Sequence, residues 1–180
     1  MKFSYRWLSK LVTVPSPEKL GEALTLHSFQ TEEIIKEGAD FLLDLNILPD
    51  RQPDCSGHIG VAREIAAITG GKITIPAHPY KESKTPTAKC VQASVAPKGT
   101  YRYILAMIEG VSVKPSSKEI QDRLRACGFR PINNIVDATN YIMLETGHPA
   151  HAFDYDKLSG KKISVRFAKN GEHITTLDGG

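Results

Sequence analysis

Apolar residues change their spacing from segment to segment along this chain, and the changes mark out its elements. After Pro15-Ser16-Pro17-Glu18, a helix-start sequence, Leu20, Ala23 and Leu24 recur at helical spacing, which predicts a short helix ending near Thr25 or Leu26. Residues 29–36 and 41–47 carry strand formers on either side of Glu37-Gly38-Ala39-Asp40, a turn sequence, and predict a hairpin. Beyond Pro53-Asp54-Cys55-Ser56, the positions Ile59, Ala62, Ile65, Ala66 and Ile68 fall three to four apart, as on one face of a helix that stops at Gly70-Gly71.

Residues 76–88 hold three prolines among mostly polar neighbours, the composition of an exposed connector. Further on, 89–96 and 101–109 have strand character and are joined by the turn sequence Pro97-Lys98-Gly99-Thr100. Ser116 and Ser117 can cap a helix with Ile120, Leu124 and Cys127 facing inward before Gly128 stops it. A second helix is predicted over 135–145, and a last hairpin from 162–168 with 173–177. The expected class is therefore α+β. A small helix and hairpin domain occupies 1–75, 76–88 is the linker, and a β-rich α+β domain over 89–180 ends before it is closed. No internal repeat is visible.

Composition sets bounds on this picture. At 180 residues, 41% hydrophobic and 24% charged, the chain has ordinary globular usage, which argues against disordered and fibrous classes. Lys and Arg exceed Asp and Glu by three, which permits contact with RNA phosphate without predicting it. Cys55, Cys90 and Cys127 are odd in number, far apart and outside any C-x-x-C, so neither a disulfide framework nor a zinc site is suggested and a reducing cytoplasm is expected. No apolar run approaches the roughly 18 residues of a membrane span.

Chemistry concentrates in 133–154, NNIVDATNYIMLETGHPAHAFD. Asn133, Asn134, Asp137, Thr139 and Asn140 crowd one end, and Gly147-His148-Pro149-Ala150-His151 forms the exit. Polar groups beside an apolar run must find partners or bind something. Pro149 restricts the loop, so the His151 imidazole can be held toward a pocket. Thr139 and Asn140 offer a hydroxyl and an amide that can meet a ligand or tie the chain to itself. Asp137, Asp154 and Asn133 are expected to hold caps and loops, because buried carboxylates need nearby donors. His148 and His151 lie three apart, but a proline intervenes and no third ligand is apparent, so a metal site is not expected. Residues 49–55 form a proline-stiffened turn that reads as a capped corner.

The segment 133–154 resembles the signature VD.TNY…LE.G.P.HAFD of the beta-chain family of phenylalanyl-tRNA synthetases. Residues 42–64, LLDLNILPDRQPDCSGHIGVARE, are similar to that family's ITPNRPDCLS..GIARE stretch, and the opening MKFSYRWLSKLV looks like its amino terminus. The three motifs stand in the family's order over most of the chain. Asp50 and an extra Gln52 depart from the second motif. The family more usually has glutamine at 148 and a larger apolar residue at 150, so Ala150 alters the pocket.

The resemblance implies an amino-terminal portion of a subunit that, beside an α subunit in a heterotetramer of two α and two β chains, joins phenylalanine to tRNA with ATP and Mg2+. The α subunit carries the family's aminoacylation site, so neither cofactor is expected on this portion. The same resemblance makes Thr139, Asn140, Pro149, His151 and Leu177 lining residues of a pocket that hydrolyses mischarged tyrosyl-tRNA, with His151 recognising the phenol; no residue here is expected to act as a covalent catalyst. Such editing has a physical motive, because a hydrophobic pocket rejects an added hydroxyl by only roughly a hundredfold. In the family a glutamate lying further along than Gly180 also recognises the phenol, and bacterial relatives usually insert an oligonucleotide-binding barrel where this chain has only the 37–40 turn. The alternative expectation is a non-catalytic RNA-binding or interaction module derived from the editing domain.

Overall fold

The computed structural model describes residues 1–77 and 79–175, and the chain divides into two compact units. The first comprises Met1–Pro79 with Ser112–Ala152, and the second Tyr80–Val111 with Phe153–Gly180.

In the first unit, β1 (Lys2–Ser4) runs into α1 (Tyr5–Leu11), followed by α2 (Pro17–His27), β2 (Thr31–Glu37), β3 (Asp40–Leu45), α3 (Gln52–Cys55) and α4 (His58–Thr69). The strands form an antiparallel sheet in the order β1-β3-β2, so the predicted hairpin is present and its inner strand also pairs with the amino terminus. Phe3, Trp7, Leu8, Leu11, Leu20, Leu24, Leu43, Leu45, Val61 and Ile65 are among the buried side chains of its hydrophobic core cluster. Ser16 caps α2 by accepting the Lys19 N–H, and Pro17 sits at its first position, where a missing donor costs nothing. Gly70 ends α4 at φ +71, a left-handed conformation that a side chain would resist.

Two further helices, α5 (Lys118–Ala126) and α6 (Asn134–Thr146), complete this unit. Ser117 is the cap of α5, whereas Ser116 turns inward to bond Asp137. The sequence expectation placed both helices in a domain running from 89 to 180; the contacts join them to the amino-terminal elements instead. The cause is a set of aromatic and ionic contacts. Tyr141 stacks on Trp7 at 4.5 Å between ring centres, Arg123 lies over Trp7 at 4.8 Å, and Lys10 pairs with Glu119 at 2.8 Å.

In the second unit, β4 (Gln92–Val95) and β5 (Lys162–Val165) pair in parallel, in register from Gln92 with Lys162 to Val95 with Val165. The Tyr155 hydroxyl donates to the Cys90 carbonyl at 3.0 Å. Residues 101–109, predicted as a strand, enter no ladder among the described residues. The expected final hairpin is likewise not formed over its described part: β5 stops at Val165, and Arg166 pairs with Glu172, which also accepts the Lys169 N–H, so the chain closes a loop over 166–172. Residues 176 and 177 of that hairpin lie outside the described residues.

Candidate functional site

The polar residues that crowd the start of α6 are largely spent on building it. Asn133 caps the helix by accepting the N–H groups of Ile135 and Val136 at 3.0 and 3.1 Å. Asn134 accepts from the Lys114 N–H and donates to the Ser112 carbonyl, tying 112–114 to the helix. Asp137, 1% exposed, accepts from the Ser116 hydroxyl at 2.6 Å and the Ile132 N–H at 2.8 Å. These bonds satisfy orphan donors of a helix terminus and a buried carboxylate, so the density of polar residues there is explained by structure.

The far end of α6 is held by the start of α4. His58 is fully buried; its Nε2 accepts the Ser4 N–H at 3.0 Å, which leaves the proton on Nδ1 to donate to the Leu144 carbonyl at 2.8 Å. Its ring stacks on Trp7 at 4.1 Å and meets Phe3 edge-on at 5.2 Å. Burial pushes the His58 pKa down to about 4. Next to it, Gly57 lies so near the last turn of α6 that a Cβ there would come within 2.6 Å of the Thr146 carbonyl carbon and 2.8 Å of the Glu145 oxygen. Gly147 then ends the helix at φ +79.

The loop that leaves this clamp carries His148, Pro149 and His151, all exposed. Thr139 and Asn140 are half-buried on α6; the Thr139 hydroxyl donates to the Val136 carbonyl at 2.7 Å, while the Asn140 amide has no hydrogen-bond partner among the described residues. Gly147 lies seven positions after Asn140, about 10 Å along a helix. Thr139 and Asn140 therefore sit two turns from the loop of Pro149 and His151. Leu177 lies outside the described residues. Two clefts in the first unit, of about 740 and 700 Å³, are lined by other residues. Among the described residues no group of three or more His, Cys, Asp and Glu is arranged for a metal ion, and no helix is long and apolar enough to cross a membrane.

The 49–55 corner is a structural network. Arg51 donates to Asp54 at 2.8 Å and Glu64 at 2.9 Å and lies 5.0 Å over the Phe29 ring, while Ser28 donates to Glu64. Burial, with Asp54 alongside, pushes the Cys55 thiol up to about 12, so it stays unreactive. Sequence reasoning assigned no role to Gly57, His58 and Trp7. An apolar, aromatic amino terminus and a Gly-His pair at a helix start are the signals that could have found them.

Residues 99–180 match the B3/4 domain family. The chain is 44% identical to the phenylalanine–tRNA ligase beta subunit of Anaeromyxobacter dehalogenans over 93% of its own length and 19% of that protein. It is 50% identical to that of Moorella thermoacetica over 78% of its length and 17% of the relative, and 40% identical to that of Rhodopirellula baltica over 99% of its length and 26% of the relative. It thus spans between a sixth and about a quarter of these proteins. Identity at this level over most of its own length means that the chain belongs to the phenylalanine–tRNA ligase beta-subunit family.

Proposed function

We propose that this chain serves as part of a phenylalanine–tRNA ligase beta subunit in the cytoplasm, beside an α subunit in a heterotetramer of two α and two β chains, and that residues 99–180 contribute to hydrolysis of tyrosyl-tRNA. The observation that carries this reading is the B3/4 match, which falls on the segment holding Thr139, Asn140, Pro149 and His151. Two physical features support it. The exposed His151 is open to an ester carried on a bulky RNA, and the half-buried Asn140 amide keeps its hydrogen-bonding capacity. A pocket that bonds the phenol gains the discrimination that a hydrophobic one lacks, since a buried polar group left unpaired costs about 1–3 kcal/mol.

In the hydrolysis, water adds to the ester carbonyl, the bond to the tRNA ribose oxygen breaks, that oxygen takes up a proton, and tyrosine is released. The developing oxyanion needs positioned donors more than a covalent nucleophile. His151 acts here as a recognition group for the phenol, with Thr139, Asn140, Pro149 and Leu177 as pocket lining. ATP and Mg2+ belong to the ligation reaction of the whole enzyme. No step assigned to this chain runs through either cofactor.

A second reading, a non-catalytic RNA-binding or interaction module, is favoured by one observation: none of the described candidate residues lines the 740 or 700 Å³ cleft. Incubating the chain with phenylalanine-specific tRNA charged with tyrosine separates the two. Ester loss that His151→Ala abolishes supports editing, and binding without turnover supports the module.

A further inference from the structure

The end of α6 is where two of the sequence motifs meet: Gly57 and His58 belong to 42–64, Leu144 and His151 to 133–154, and all four lie in the first unit. Were α6 to continue, the Leu144 carbonyl would accept the N–H four residues on, that of His148. That N–H donates instead to the Thr146 hydroxyl at 3.2 Å, and the hydroxyl in turn donates to the Ile142 carbonyl at 2.8 Å. Among the described residues no backbone N–H reaches the Leu144 oxygen, which is one of the orphan acceptors of a helix terminus. The donor that satisfies it is His58 Nδ1, from 86 positions away. The two segments come this close because each has a glycine at the crossing. A Cβ on Gly147 would stand 3.1 Å from the Gly57 nitrogen and 3.2 Å from the Ser56 Cβ. Rotation of the helix is fixed separately, by Tyr141 stacked on Trp7.

We propose that His58 and Thr146 are positioning residues for the loop that carries His151. His58 takes the Leu144 carbonyl and Thr146 takes the His148 N–H, and together they set where α6 stops and in which direction the chain leaves it. If the His148 N–H bonded the Leu144 carbonyl, the helix would gain a residue, turning the outgoing chain by about 100° and advancing it by about 1.5 Å. His151 stands three positions after His148, with Pro149 restricting the backbone between them, so the change would be carried to its imidazole. A displacement of about 1 Å at a group that meets substrate can cost roughly a hundredfold in rate. The consequence for hydrolysis rests on the editing reading; the hold on the loop does not.

The two nitrogens of His58 can be tested apart in the intact chain. Nδ1 is bonded to Cγ, as is the amide nitrogen of asparagine, whereas Nε2 lies further out, where the amide oxygen of glutamine falls. His58→Asn therefore keeps a donor for Leu144 and loses the Ser4 acceptor, and His58→Gln does the reverse, while both lose the ring stack on Trp7. Backbone carbon shifts of 147–151 in NMR spectra follow the local dihedral angles. They are expected to stay near wild type in His58→Asn and to move in His58→Gln, with those of β3 in place in both. Thr146 is exposed, so its variants keep the fold even if a His58 variant does not. Thr146→Val is expected to move the same signals and Thr146→Ser to restore them. His58→Gln and Thr146→Val should also lower kcat/KM for the tyrosyl ester roughly tenfold or more and leave the phenylalanyl ester unchanged, with His58→Asn and Thr146→Ser close to wild type. Equal shifts in His58→Asn and His58→Gln, or none in His58→Gln and Thr146→Val, overturn the proposal, as does full hydrolysis of the tyrosyl ester by variants whose loop has moved. The spectra need no activity, so a wild-type chain that leaves the ester intact counts against the editing reading while the shifts still decide what holds the loop.

Discussion

The Nδ1 of His58 lies 2.8 Å from the carbonyl oxygen of Leu144, 86 positions later in the chain. With Ser4 donating to Nε2, the neutral imidazole bridges the amino-terminal strand and the end of α6. Both nitrogens are committed: a second proton would turn Nε2 from acceptor to donor against the Ser4 N–H, inside a fully buried site.

Acid should therefore weaken the first unit. The folded His58 pKa, about 4, lies below its ordinary value of 6.5, so between these values the unfolded chain binds more protons. The contribution is fully present above pH 6.5 and is lost as pH falls through 4, with a full span of about 3 kcal/mol. Urea denaturation between pH 4 and 7 is expected to show this slope, and His58→Gln to flatten it. An unchanged slope in the variant would refute the bridge's role in acid sensitivity.

Gly57→Ala should be among the most damaging small substitutions. The added methyl meets main-chain atoms of Glu145, Thr146 and Gly147, and neither helix end can retreat without breaking the His58 bond. A cost of about 3 kcal/mol, or roughly 10 °C in melting temperature, is expected. Calorimetry of the variant checks this. Gly38→Ala serves as the comparison: nothing lies within 4 Å of the added methyl, so only its positive φ opposes the change.

Asp137→Ala should destabilise by about 2–3 kcal/mol, because the carboxylate receives both the Ser116 hydroxyl and the Ile132 N–H in a buried site. Adding Ser116→Ala is expected to recover part of the loss by removing one stranded hydroxyl. A double-mutant cycle with no coupling between the two positions would contradict this account.

How far these features were legible in the sequence follows from the range of the forces involved. Local signals sufficed for α2, the β2–β3 hairpin and α4, where capping serine, turn residues and terminal glycine all agree with the packing. They failed at 101–109, where strand propensity has no partner among the described residues to satisfy its backbone. They also failed for the domain division, because Trp7 on Tyr141 and His58 on Leu144 join segments whose proximity no local pattern encodes. The polar cluster at 133–140 drew attention as a site, yet Asn133, Asn134 and Asp137 serve the helix start. Capping and ligand binding use the same residue types, so composition alone cannot separate them.

His151→Ala tests recognition without disturbing the fold. The side chain is exposed, so its removal should change stability by less than about 0.5 kcal/mol and leave the melting curve in place. If the imidazole bonds the phenol during hydrolysis, the loss of one such bond, about 1–3 kcal/mol, lowers kcat/KM for tyrosyl-tRNA by roughly 5- to 150-fold. The phenylalanyl ester, which offers no phenol, should be hydrolysed equally by both proteins. Deacylation assays on the two esters measure the ratio directly. A fall that is the same for both would assign His151 to holding the RNA or the loop, and would leave phenol recognition to other residues.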